Sequence, residues 1–446
     1  MQPYLKPYQR ILIGGLMLCL PWFCQAGEAV DLVRAIQKGD IGELKALLGE
    51  GTPINSTQPD GSTALFDAAR QGNTDMVRLL LGHGADINAT TKRGRTPLME
   101  AVAKKRTEVA KLLLNNGAEI NVADQKGNTP LMLSVGMDAE LLQILINKGA
   151  ELDSIDKNHR TALMRCSLGG YPQATKMLLN AGASFDVLDR HGRSALWLAA
   201  RDGNLEIVEA LVAKGADFTS GDNYGVTPLQ IAARQGRENV SIFLVSKGSQ
   251  PDLVAPGGMT PLMYAAGRSQ YGLVNQLLKA GAMINAETPT GITPLTEAIK
   301  SKDVDMVKLL LSRGAEPNGV NQHGIIPLLQ AGQDKKPEIM SVLLQNGASP
   351  NVWDKIGRSA LAWAASRGDA QKVAMLLDAG ADPHMADQYG KTPLILAAAA
   401  GNLEAVKLLL QKGADPYARD KHGMTAYDLA QKRGLTAIMQ VLGSAQ

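Results

Sequence analysis

The chain of 446 residues is long enough for two or three ordinary domains, and its make-up, 45% hydrophobic and 20% charged, is that of a globular protein. Forty-six glycines set against only 4% aromatic residues suggest many short elements joined by many turns, so internal repetition is the first thing to test. The formal charge of +3 falls to +1 once Lys6 and Arg10 are set aside with the leader, which excludes a global pull toward nucleic acid or anionic lipid.

Residues 1–10 carry Lys6 and Arg10 and no acid, and Ile11 to Leu20 form an uncharged, mostly apolar run that Pro21 ends. Cys24-Gln25-Ala26 then offers small residues three and one before a cut. That is the layout of a secretory signal peptide, with cleavage expected after Ala26, and after Ala29 as the alternative. The apolar run reaches only about half-way across a bilayer as a helix, so no permanent membrane span is expected after cleavage. Bulky Trp22-Phe23 and Met17-Leu18 precede Cys24 and Cys19, which disfavours a lipoprotein signal. The expected destination is the periplasm or the cell exterior. Cys19 and Cys24 leave with the leader, and Cys166 alone makes neither an internal disulfide nor a cysteine-rich metal site.

After the leader one pattern recurs. A leucine falls at Leu32, Leu65, Leu98, Leu131, Leu163, Leu196, Leu229, Leu262, Leu295, Leu328, Leu361 and Leu394, with Tyr427 in the same place. These positions define thirteen units. In the unit from Asp222 to Asp252, Gly225 sits in a turn and Thr227 caps a helix whose first position is Pro228. Leu229, Ala232 and Ala233 share one buried helical face, and the small alanines let a second helix approach. Gly236 ends this first helix. Val240, Phe243 and Leu244 give the second helix its apolar face, and Gly248 closes it with a left-handed cap. Helices of two or three turns are marginal alone, so the units must stack and share a core.

This pattern resembles the ankyrin repeat. The family's turn and first helix match Gly225-Val226-Thr227-Pro228-Leu229 with Ala232-Ala233, Gly94-Arg95-Thr96-Pro97-Leu98, and Gly390-Lys391-Thr392-Pro393-Leu394 with Ala397-Ala398. Its second-helix ending matches Leu178-Leu179-Asn180-Ala181-Gly182-Ala183 and Leu376-Leu377-Asp378-Ala379-Gly380-Ala381. The resemblance implies an all-α solenoid whose helix-turn-helix units are joined by β-hairpin-like turns, and a protein that binds other proteins along a concave groove. The organisation expected is a leader over 1–26, an N-terminal capping unit over 27–57, repeats over 58–419 and a C-terminal cap over 420–446.

Several departures from the family pattern carry expectations. The family's histidine after Thr-Pro-Leu, which helps to bond neighbouring turns, is missing; its place holds Met99, Met132, Met164, Trp197, Gln230 and Met263 among others. Some bonding between repeats is therefore in question. The methionines read chiefly as packing between helices, with an adaptable surface as the alternative. His159 replaces a turn glycine and Ile326 a capping threonine, which predicts a left-handed residue at the one and a weaker helix start at the other. The turns near Ala255, Thr288 and Asn321 lack the usual aspartate, so the least regular hairpins are expected there.

The chain shows no convergent set of catalytic groups. His83 lies at a helix end, while His159, His191, His323, His384 and His422 fall in or near turns without ligand spacing. Cys166 fills a small-residue place in a first helix and reads as buried packing. Phosphate loops, nucleophile elbows and metalloprotease motifs are absent from the sequence. The expectation is a non-enzyme with no cofactor and no metal.

The resemblance puts the turn residues and the two positions after Ala-Ala in the groove. Those two positions include Arg201, Arg234, Arg268 and Arg367, with few acids among them. One reading is a stripe that steers in a partner with an acidic surface; the other is the ordinary preference of exposed helix positions for arginine and lysine. Trp353, Ile356, Trp363 and Arg367 form a cluster, with Tyr224, Tyr264 and Tyr389 in comparable places. Trp, Tyr and Arg dominate binding hot spots, which makes these ten residues the candidate partner-binding set, although Trp363 suits internal packing equally well. The chain is expected to be a monomer that binds a protein, not nucleic acid. Within that reading it is a resident adaptor or an inhibitor, either of a toxin or of a host protein.

Overall fold

The computed structural model describes residues 31–319, 326–334 and 336–445. The leader with its cleavage site, and the turn holding Asn321 and His323, lie outside the described residues. Helices follow one another in pairs, from 31–38 with Ile41–Gly49 to Ala426–Lys432 with Thr436–Ser444, and no strand forms among the described residues. An isolated antiparallel bridge, Trp353 to Ser359, marks one hairpin-like turn. The chain divides into two compact bodies, Met1–Asp189 and Arg190–Gln446. In each body first helices pack on first helices and second on second, as Ala64–Gln71 does on Pro97–Ala103 and Ala360–Arg367 on Pro393–Ala400.

The helices form for local reasons. Thr96, Thr227, Thr260 and Thr392 have extended backbones, and their hydroxyls accept the N–H three residues on, with Pro following at the first helical position. Ile326 has no side-chain acceptor, and the helix it precedes starts without that bond, as expected. His159 takes φ 59°, the left-handed geometry its place requires.

The repeated leucines from Leu65 to Leu394 are each at most 2% exposed. Ala68-Ala69, Ala199-Ala200, Ala232-Ala233 and Ala397-Ala398 are fully covered, so side-chain bulk is smallest where first helices meet. Met99, Met132, Met164 and Met263 are buried, which settles them as packing. Cys166 is buried too, and burial pushes its thiol pKa up to about 12.

Polar groups then fix the register between units. At the turn tips, backbone N–H groups donate to the carbonyl of the preceding tip: Lys92 to Asp60 (2.8 Å), Gln125 to Arg93 (2.9 Å), Lys157 to Lys126 (2.9 Å), Gln388 to Ile356 (3.0 Å) and Lys421 to Tyr389 (2.9 Å). The turns at Ala255 and Thr288 are regular internally, contrary to the expectation. Ala255 and Thr288 donate N–H to Met259 and Ile292 carbonyls (3.2 and 2.9 Å), and the Thr288 hydroxyl takes over the missing aspartate's role by accepting from Ile292 N–H at 3.0 Å. The irregularity lies between turns instead. Pro256 and Pro289 occupy the donor place of the tip ladder and have no N–H to give. A Cβ at Gly225 would meet nothing within 4 Å, whereas at Gly357 or Gly390 it would meet the next turn's backbone at 3.3 or 3.1 Å.

Left-handed residues other than glycine occur at Lys105, Ser269 and Lys302, just past first helices where Gly72, Gly203 and Gly401 serve elsewhere. Lys105 is exposed, and its left-handed backbone strains a side chain that glycine would not carry. Lys105→Gly should therefore raise stability by about 0.5 kcal/mol after glycine's own entropy is counted, read as a higher urea midpoint at unchanged slope. Cys166 should resist iodoacetamide in the native chain and react once urea unfolds the first body, followed by mass spectrometry.

Candidate functional site

All ten candidate residues lie in the second body, and they do not share one role. Tyr224 (73% exposed) and Tyr389 stand at turn tips, where their backbones hold the turn and their rings face solvent. Their N–H groups donate to Asp222 (3.0 Å) and Asp387 (2.9 Å), the aspartates that organise each turn. Trp353, 58% exposed, precedes Asp354 on the edge of its hairpin. Ile356 and Tyr264 are half-buried. Leu253 and Val254, which the sequence reading did not single out, are exposed on the turn after Tyr224.

Trp363 is half-buried, and its indole is held by three side chains. Its indole Nε1 donates to Asp354 Oδ2 at 2.9 Å. The guanidinium of Arg358 lies 5.0 Å from its ring centroid and that of Arg367 5.3 Å, so two cations share one π face system. Beside it Ile326, Leu329, Gln330, Gly332, Gln333, Asp354, Trp363 and Arg367 line a hollow of about 330 Å³. That volume lies at the lower end of the range of ligand pockets and is large enough to take one side chain of a partner. The Gln330 Oε1 is buried without a partner there, while its Nε2 donates to Thr296 O at 3.0 Å.

The arginine stripe has a use that neither reading anticipated. Arg268 Nη2 donates to Arg234 O (2.5 Å), and Arg367 Nη1 donates to Gln333 O (3.2 Å). In the first body Arg106 Nε does the same to Arg70 O at 3.1 Å. Each ties down a carbonyl near the end of the preceding unit's first helix, where a cation also meets the negative end of the helix dipole. Arg201 is held by Asp202 through two bonds of 2.8 Å. Arg234 keeps an exposed guanidinium with no side-chain partner among the described residues. Two of the four thus also stitch units together, and Arg234 is the most available of the four.

The missing histidine has substitutes. The Trp197 indole donates to Val226 O in the next turn (2.7 Å), and Gln230 Nε2 donates to Leu253 O (2.5 Å). These carry side-chain bonds between turns where the methionines cannot. No group of three or more histidine, cysteine or acidic side chains placed to hold a metal occurs among the described residues. No described helix is long and apolar enough to cross a membrane.

The family model described as ankyrin repeats (3 copies) matches residues 32–124, 118–189, 170–255, 242–321, 328–420 and 368–445. No curated protein matches the chain.

Replacing Trp363 with phenylalanine keeps the ring but removes the donor to the Asp354 carboxylate. Trp363→Phe should cost about 1.5 kcal/mol, since hydrogen bonds to charged groups are the stronger kind, with far-ultraviolet helicity unchanged. Urea unfolding beside a circular dichroism spectrum checks both halves.

Proposed function

Because the chain belongs to the ankyrin-repeat family, whose repeats are generally protein–protein interaction modules, we propose that it is a non-catalytic scaffold holding a partner protein against the second body. One observation carries this reading. Tyr224, Trp353 and Tyr389 are exposed large apolar residues in a chain with few aromatics, and the burial of the core does not use them. Large exposed apolar groups cost solvation in the free protein, and a partner that covers them recovers it. The hollow beside Trp363 has room for one anchoring side chain, and a buried anchor ringed by weaker contacts is the usual build of an interface centre. Arg234 adds a cation on the same body. The leader-like pattern of residues 1–26 supports a periplasmic or secreted location.

Trp353→Ala combined with Trp363→Ala should abolish capture of the partner while helicity is kept. The check is a crosslinked pull-down from envelope extract with tagged parent and tagged variant, followed by mass spectrometry. A protein held by the parent and lost by the folded variant supports the reading. The same protein held by both moves the contact off this surface.

A further inference from the structure

The first body carries a different chemistry at its turn tips. Lys126, Asn128, Asp156, Lys157, Asn158, Arg160 and Arg165 line a hollow of about 380 Å³. Four of these seven are cations and one is an acid. Asp156 is buried and committed: its carboxylate accepts from Arg165 at 2.8 Å and from the backbone N–H groups of Asn158 (2.7 Å) and Arg160 (3.0 Å). Arg165 is spent on that bond and on Asn128. Lys126, Lys157 and Arg160 have no anionic side-chain partner among the described residues, and the buried Nε of Arg160 has no hydrogen-bond partner at all. The backbone bond from Lys157 N–H to Lys126 O, 2.9 Å, keeps the two lysine-bearing tips side by side. One tip further along, Lys92 and Arg93 are exposed and likewise without side-chain partners, and the Gln125 N–H bond to Arg93 O (2.9 Å) joins that tip to the same row.

Placing like charges together on a nearly neutral chain costs energy unless something of opposite sign completes them. We propose that this row of tips is a docking surface for an acidic segment of a partner protein, with a carboxylate seated in the hollow between Lys126, Lys157 and Arg160. The occupant is a protein segment rather than a nucleic acid because no aromatic side chain lines the hollow to stack a base, while the neighbouring Ile155 offers an exposed aliphatic contact. The proposal rests on the protein-binding reading above. It adds a second surface, on the other body, and assigns the acidic character of the partner to the tips of the first body and not to the arginine stripe of the second.

Fluorescence anisotropy of a labelled octa-glutamate peptide against the full chain tests it, beside an octa-glutamine control. The parent should bind octa-glutamate saturably, ignore the control, and lose affinity as salt rises. Lys126→Ala with Lys157→Ala should weaken binding by about tenfold or more, as removal of interface charges does, while Lys126→Arg with Lys157→Arg should retain it. Trp353→Ala with Trp363→Ala should leave octa-glutamate binding unchanged, so failure of the aromatic surface and failure of this one are read separately. Absence of saturable binding by the parent overturns the proposal, as does an equal affinity in the folded lysine-to-alanine variant. Tighter binding of a single-stranded oligonucleotide through the same two lysines overturns it in favour of a polyphosphate ligand.

Discussion

The structure depends on one constraint: no unit has enough apolar surface to fold alone. Most first helices offer a leucine and one or two small residues, and the second helices a few aliphatic side chains such as Val240 and Leu244. These are covered only when the next pair lies against them. The small residues matter as much as the large. Ala232-Ala233 and Ala397-Ala398 have no exposed surface because the adjoining helices close over them, and a bulkier pair would hold those helices apart. From this follow the near-constant repeat length and the pairing of first helix with first helix.

Each turn must also be tied to the first helix that follows it in the same unit, and here the chain reuses one geometry with different chemistry. Nine residues separate a turn residue from its partner on the following first helix in three places: Gln58 with Asp67, Asp156 with Arg165, and Asp354 with Trp363. An amide–carboxylate contact, an ion pair and an indole–carboxylate bond all fit the same site. Asp67 shows the cost of the arrangement. Burial raises its pKa, and Arg70 and Gln58 only partly oppose that. A second ladder runs through the loops after the second helices, where Asn55, Asn121, Asn285, Asn318 and Asn351 accept an N–H from the loop about one unit ahead. These bonds favour register more than raw stability, because a slip of one residue breaks all of them together.

The sequence made the repeat, the threonine helix caps and the buried methionines legible because each depends on a period or on a local rule. Thr-Pro and the leucine spacing report backbone needs that every unit shares. Roles that depend on what stands opposite in the next unit were harder to read. Arg268 and Arg367 were legible as exposed cations, but not as donors to backbone carbonyls 34 residues away, which leave no trace in residue type. Trp197 and Gln230 stood in the histidine's place without revealing that they inherit its bond. The turns at Ala255 and Thr288 looked irregular for want of an aspartate, yet their own backbone bonds close them. The signal that mattered was the proline beside each, since what it removes is a bond between turns.

The tip ladder also explains why the turns are where this chain varies. Its bonds run from backbone to backbone, so a tip side chain takes no part in them and is free to change. At the tip place after the donor residue the first body has Arg93 and Lys126, and the second has Tyr224, Ile356 and Tyr389. A residue that the ladder does not constrain, and that the core does not bury, is held by neither stability nor register. Two bodies with one scaffold thus present unlike tips. Where Pro256 and Pro289 remove the donor, the carbonyls of Tyr224 and Gly257 receive no N–H from the next tip. Exposed Leu253 and Val254 flank that interruption. The interruption therefore adds exposed backbone acceptors to the body that already carries the exposed aromatic residues, and at Pro256 the side chains of Gln230 and Arg268 still bridge the two units.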